Sequence, residues 1–253
     1  MYQMEVVNMI LKAATFNTHH GETIEGVIHT KKQASIFKTY KPDIIFIQET
    51  DMYAQRSKNE NQIYNFSKYV DLGYRTMGTT IKLGEGFYGD GIISRFPVNF
   101  SANFLMPSTD ISHEQRGVLY NRISFGTTKI NLFSVHMSTY EEERILSAQE
   151  LIRIINKLDK EEIVLIGGDF NVGVTRLGKG KYNYQPKEYY EEYEILKTAL
   201  KQINNTENTW FSDLGNGCID TMFYSDNITL KKTVTIDSKG LSDHNAVYAE
   251  FDV

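Results

Sequence analysis

Eight polar residues stand where apolar runs of this chain end, and their types define a chemistry. Asn17 closes ILKAATFN, Glu49 follows DIIFIQ, and His136 ends KINLFSVH. Asp169 and Asn171 follow IVLIGG, Asp220 sits in CIDTMFY, and Asp243 and His244 precede AVYAEF. Carboxylates and amides without cysteine form a hard, oxygen-rich donor set, suited to Mg²⁺ or Mn²⁺ rather than to a closed structural zinc site. A cation held there would neutralise a phosphate oxygen and stabilise a leaving oxygen, while a carboxylate-oriented water attacks in line. His136 and His244 could donate to non-bridging phosphate oxygens, provided that neighbouring carboxylates keep them protonated.

Each residue also has a plainer reading. Asp169 and Asn171 could make an Asx turn, Glu49 could be a solvated loop residue, and His136 a structural histidine. Asp220 is harder to dismiss, because a carboxylate in an apolar strand needs a charged or hydrogen-bonded partner, for which His244 would serve. Ser242-Asp243-His244 is no serine-hydrolase triad: neighbouring side chains point apart and no nucleophile elbow is present.

The elements that must position these residues are strands and amphipathic helices in alternation. Extended segments are expected at 10–17, 43–48, 73–81, 91–96, 118–124, 129–136, 163–166 and 218–224, with a last strand in AVYAEF. In IVLIGGDFNV the paired glycines are expected to turn the backbone at the strand end. Helices are expected at 30–40, stopped by Pro42, at 63–70, at 187–200 and, most clearly, at 141–158. That last helix would bury Ile145, Leu146, Ala148, Leu151, Ile152, Ile155 and Leu158. Gly84-Glu-Gly86-Phe-Tyr-Gly89 matches the dinucleotide-binding glycine pattern in letters only. No helix follows to hold a pyrophosphate, so it reads as a flexible loop beside Asp90 and Arg95. Residues 176–187 read as a basic loop bearing tyrosines.

The bulk properties are those of an ordinary soluble globular protein, with 41% hydrophobic and 23% charged residues. A net charge of −5 gives no global footprint for nucleic acid. A local groove of Arg56, Lys58, Arg176, Lys179, Lys181 and Lys187, with Tyr182 and Tyr184 for stacking, is a candidate path, or simply a solvated loop. The lone Cys218 excludes an internal disulfide framework. The opening MYQMEVVNMIL lacks a basic n-region and a sustained apolar core, so neither a signal peptide nor an anchor is expected. The expectation is one domain over residues 1–253, cytoplasmic, monomeric and without stable membrane insertion.

Taken together, TFNTHHG, DIIFIQETD, GDGIISRFPV, VHMST, GGDFNV, CIDTMFY and LSDHNAV resemble, in order and over nearly the whole chain, the motifs of the endonuclease/exonuclease/phosphatase superfamily. The family includes deoxyribonuclease I, exonuclease III, inositol polyphosphate 5-phosphatases, deadenylases and neutral sphingomyelinases. The resemblance implies an α/β (α+β) fold, a four-layered sandwich of two packed mixed β-sheets flanked by helices. It implies Glu49 as principal metal ligand, assisted by Asn17 and Asp243, with Mg²⁺ or Mn²⁺ as cofactor. It casts Asp169 as activator of the attacking water, Asn171 as holder of that water or of the phosphate, and His136 and His244 as phosphate contacts, with Asp220 orienting and charging His244. Arg116 is similar to a phosphate-contacting arginine of the family, and His19 and His20 could contact phosphate, add ligands or serve structural roles. The implied activity is a phosphodiesterase, with nucleic acid among the candidate substrates. The alternatives are a phosphomonoesterase, a phospholipase C-like or glycosylphosphatidylinositol-related lipid hydrolase, and a catalytically silent binding module. His136-Met137-Ser138-Thr139 departs from the sphingomyelinase signature, and the 5-phosphatase tryptophan is missing beside Asp169.

Overall fold

The computed structural model describes residues 9–178 and 181–253. Lys179 and the first eight residues, on which two of the expectations rest, lie outside these. The chain first lays down β1 (Ile10–Asn17), α1 (Thr30–Ser35), β2 (Ile44–Met52), α2 (Gln62–Val70), β3 (Tyr74–Leu83) and β4 (Gly86–Ser94). There follow β5 (Val98–Leu105), β6 (Gly117–Phe125), β7 (Thr128–His136), α3 (Glu141–Ile155) and β8 (Ile163–Asp169). Next come β9 (Val174–Gly178), β10 (Lys181–Tyr184), α4 (Glu191–Lys197), β11 (Lys201–Gln202), β12 (Trp210–Ser212) and β13 (Gly215–Gly217). The chain closes on β14 (Asp220–Tyr224), β15 (Thr229–Ile236) and β16 (Ala246–Asp252).

Two six-stranded sheets form, ordered β15-β16-β1-β2-β4-β3 and β11-β14-β8-β7-β6-β5. Each is mixed: β1 pairs with β2, and β7 with β8, in parallel, among antiparallel neighbours. The apolar runs carry no polar alternation because both faces of the central strands are covered. From β2, Ile44 and Phe46 enter the core between the sheets, where they join Ile130, Leu132, Ile163 and Leu165. Ile45 and Ile47 point the other way, into a core with Ala34 and Phe37 after and within α1 and Ile63 and Phe66 of α2. On the far side, Val164 and Ile166 pack with Ala148, Leu151 and Leu196 of α3 and α4. The result is the expected four-layered α/β sandwich.

Several expectations need correction. Gly167 and Gly168 make no turn; they lie inside β8, where the other sheet and the neighbouring strand approach too closely for a side chain. A Cβ on Gly167 would stand 2.3 Å from the Phe46 ring. The turn comes later, at Asn171 with φ 50° and Gly173 with φ 74°. The Gly84–Gly89 segment is the β3–β4 hairpin rather than a flexible loop, turning at Gly84 with φ 61°. The basic segment from Arg176 is another hairpin, β9–β10. Helix α3 buries Glu143 and Arg144 instead of Ile145 and Leu146, because Glu143 ties down the preceding segment and Arg144 meets Glu192 at 2.6 Å. The helices expected at 30–40 and 187–200 are shorter, and the eight-residue strands β5 and β15 had no apolar run to signal them.

Candidate active site

Because β1 and β2 are parallel, as are β7 and β8, Asn17 and Gln48 finish side by side, and so do His136 and Asp169. Antiparallel β14 begins where β8 ends, which sets Asp220 beside Asp169. Asp243 and His244 precede β16, the antiparallel neighbour of β1. The residues expected from the sequence thus converge from both sheets on one edge of the sandwich. Most of them line a single cavity of about 480 Å³. Asn17 and Asp220 lie just behind its wall, and Arg116, His19 and His20 line it too.

Glu49 is aimed into this cavity by the backbone rather than by the strand end. β2 continues past it to Met52, but its register against β4 slips between Ile47 and Thr50. At this bulge Glu49 has φ 56°. Positive φ also occurs at His19, His20 and Asn171 within the site, and, among the described residues, at Lys41, Tyr53, Lys58, Asn59, Asp71 and Lys239 outside it. Burial would raise the Glu49 carboxyl, but His20 and the amide of Asn17 beside it hold it well below the usual range. His20 bonds Glu22 at 2.8 Å and stands 4.0 Å from Glu49.

Asp169 is the hub. Its Oδ2 accepts from Asn17 Nδ2 at 2.9 Å and lies 3.5 Å from His136 Nε2 and 3.8 Å from His244 Nε2. Its Oδ1 accepts the Asn171 backbone N–H at 2.9 Å, so the Asx turn exists and serves to fix the carboxylate. Asn171 Nδ2 in turn donates to the Met137 carbonyl at 3.0 Å. Burial and the negative charge of Asp220 push Asp169 up to about 7. Behind it, His244 Nδ1 meets Asp220 Oδ2 at 2.8 Å. Burial lowers the basicity of His244, yet Asp220, Asp243 and Asp169 together carry it up to about 10, so the ring is an imidazolium at neutral pH.

His136 behaves differently, which corrects the expectation that carboxylates keep both histidines charged. Burial and the Arg116 guanidinium, whose Nη1 is 2.8 Å from His136 Nδ1, drive it well below 6.5, and it is neutral. Asp90, which the sequence reading left outside the site, is buried 4.0 Å from His136 and pushed well above its ordinary value, chiefly by burial. Its signal was a carboxylate between two glycines in GDGII. Trp210 was also missed; it pairs with His244 through a backbone bridge and lines the cavity. The proposed basic groove is partly neutralised: Arg56 is held bidentately by Asp51 at 2.8 Å, and Lys187 by Glu141 at 2.5 Å.

Two groupings could hold a cation. Asp169, Asp220 and His244 offer ligand atoms within 4.8 Å of one another, but His244 Nδ1 is taken by Asp220 at 2.8 Å. Glu49 and Asp243 fit better. Glu49 is ionised and both face the cavity, where the buried Nδ1 of His19 has no hydrogen-bond partner and lies 3.8 Å from Asp243. Asn17, expected as a third ligand, turns its Nδ2 to Glu49 and Asp169, and its Oδ1 accepts the His19 N–H at 3.0 Å. In this orientation Asn17 links the two carboxylates.

Comparison with known proteins gives the arrangement its relatives. The sequence profile of the Endonuclease/Exonuclease/phosphatase family matches residues 14–244. The uncharacterized protein YbhP of Escherichia coli K12 is 29% identical over 177 residues, which span 63% of this chain and 66% of YbhP. YbhP of Shigella flexneri aligns to the same extent, so the matched stretch covers just under two thirds of these relatives' length. An endonuclease/exonuclease/phosphatase from Bacteroides vulgatus superposes with a TM-score of 0.73 at 18% identity, covering 97% of this chain and 99% of that one. Danio rerio TDP2 complexed with a single-strand DNA product gives 0.71 at 17%, over 96% and 99% of the chains. The mannosyl-6-phosphatase Bt3783 of Bacteroides thetaiotaomicron gives 0.68 at 17%, over 96% and 100%.

Proposed function

The chain belongs to the endonuclease/exonuclease/phosphatase family, and on that premise we propose that it is a divalent-metal-dependent phosphoesterase acting on a phosphodiester. The observation that carries this reading is Asp169: a buried carboxylate near pKa 7, fixed through both oxygens, between a neutral and a cationic histidine. A base with that pKa is matched to taking a proton from water at neutral pH.

The roles follow from the contacts. Asp169 accepts the proton of the attacking water, and Asn17 and the Asn171 N–H keep its carboxylate aligned. His244, held cationic by Asp220, donates to a non-bridging oxygen where negative charge develops. Arg116 supplies a second fixed positive charge, and neutral His136 beside it can offer one N–H without adding another. Glu49 and Asp243 would hold Mg²⁺ or Mn²⁺, which when bound neutralises charge on the phosphate and the leaving oxygen. The cavity lining sets Arg56, Arg116 and His244 against Glu49, Glu114, Asp169 and Asp243. Among diesters, nucleic acid is favoured by the DNA product in the TDP2 structure and disfavoured by the neutralised groove at Arg56 and Lys187. Among the described residues no helix is long and apolar enough to cross a membrane.

The test is hydrolysis of bis(p-nitrophenyl) phosphate and p-nitrophenyl phosphate with Mg²⁺ or Mn²⁺. A panel of single- and double-stranded DNA, RNA, inositol phosphates and phospholipids follows, with Asp169→Ala as control. Metal-dependent diester turnover that the control lacks is expected. Full activity in the Asp169→Ala protein, or faster monoester turnover throughout, would overturn the assignment.

A further inference from the structure

A second cleft, of about 710 Å³, opens in the outer helical layer and shares no lining residue with the catalytic cavity. It runs between α1 with its following turn and the end of α2. Its floor is apolar: Phe37 and Pro42 are buried, Val70 is half-buried, and Tyr69 adds an exposed ring. Around the rim stand the ammonium groups of Lys31, Lys32, Lys38 and Lys41.

The rim is unusual in charge. None of these four lysines makes a salt bridge with a described residue, whereas the neighbouring Arg95 is paired to Asp43 at 2.7 Å. Asp71 is the one acid on the lining. Four unpaired cations thus face one carboxylate, in a chain whose net charge is −5. Scattered surface lysines would repel one another to no purpose; gathered over a concave apolar floor, they make a field that draws in an anion. Lys31 already lies 5.9 Å over the Tyr69 ring, so that an aromatic face and a cation are presented together. A cleft with an apolar body and a few convergent charges is the form small-molecule sites take.

We infer that this cleft is a binding site for a phosphate-bearing amphiphile. Its phosphate lies among the Lys31, Lys38 and Lys41 ammonium groups, and its apolar body lies on Phe37, Pro42, Tyr69 and Val70. That chemistry has two sources, an acyl chain with a phosphate head and a planar aromatic phosphate, and both are covered by the test. The inference does not depend on the catalytic reading, since no residue is shared.

The test is isothermal titration calorimetry of the full chain in EDTA, which suppresses metal-dependent turnover. The probes are dodecyl phosphate below its micellar range, 2-naphthyl phosphate and inorganic phosphate. At least one amphiphile is expected to saturate a single site at least about tenfold more tightly than inorganic phosphate, since one lost apolar or ionic contact is worth roughly that factor. Lys38→Glu/Lys41→Glu should weaken it by about tenfold or more, with thermal midpoint and diester hydrolysis unchanged. If the charge reversal fails to fold, Lys38→Ala/Lys41→Ala replaces it, with a loss of the same sign. Binding of neither amphiphile, equal binding of inorganic phosphate, or binding indifferent to the lysines would each overturn the site. Which amphiphile binds distinguishes the two sources.

Discussion

Asp220→Asn isolates the electrostatic part of the site without changing its shape. The His244 imidazolium is carried from 6.5 up to about 10 against the opposing effect of burial, and Asp220, 2.8 Å away, is the largest favourable influence. That rise corresponds to roughly 5 kcal/mol in favour of the charged ring. With the carboxylate replaced by an amide, burial is opposed only by Asp243 and Asp169, and the ring should fall toward 6.5. At pH 8 a pKa of 6.5 leaves only about 3% of the ring protonated, a loss of roughly 30-fold in kcat from protonation alone. At pH 6 most of that loss should disappear, which a merely misfolded site would not show. Linkage has the same sign: a raised folded-state pKa stabilises fully below 6.5, and the contribution is lost as pH rises through about 10. The assay is the pH profile of kcat on bis(p-nitrophenyl) phosphate, with near-UV circular dichroism to verify folding and ¹⁵N NMR to follow the His244 ring. A folded variant with kcat within threefold of the parent at pH 8, or with its His244 ring still titrating near 10, would refute the reasoning.

Other consequences are open to simpler measurements. Glu49→Gln should raise the Mg²⁺ concentration for half-maximal activity by roughly 10- to 100-fold, and an unchanged metal titration would remove Glu49 from the ligand set. Gly167→Ala would drive a methyl into the Phe46 ring; a loss of about 1–3 kcal/mol in urea unfolding is expected, and an unshifted midpoint would contradict the packing. Burial acts to raise Glu143, but hydrogen bonds from Ser138, His113 and Thr109 hold it down at about 2. Its contribution is present above pH 4.5 and fades as the pH falls through 2, so Glu143→Gln should cost up to roughly 3 kcal/mol at pH 7 and little at pH 2. An equal cost at both values would mean that packing, not charge, is what the glutamate provides.

Most of the strands, and the residue types at their ends, were legible in the sequence alone. Apolar runs of strand length, rich in β-branched residues and each capped by a carboxylate, amide or imidazole, read as buried strands with polar ends. That pattern located Asn17, His136, Asp169 and Asp220 without any contact information. Asp220 could even be assigned its partner, because a charge in an apolar strand has to be compensated, and His244 does compensate it at 2.8 Å. The four layers were expected from the motif resemblance, and strands without polar alternation, which need cover on both faces, agree with it.

Tertiary structure decided everything that depends on distance across the chain. The glycines of β8 looked like turn residues, but it is Phe46, some 120 positions away in the chain and on the facing sheet, that leaves no room for a side chain at Gly167. Glu49 looked like a strand end, yet a bulge against β4 sets its direction. The two histidines are indistinguishable in sequence, each beside an apolar strand. Burial lowers both, and the difference is the nearest charge: Arg116 lies against His136 and leaves it neutral, while Asp220 lies against His244 and keeps it cationic. Protonation states are sums over neighbours in space, and no spacing along the chain specifies which neighbour arrives.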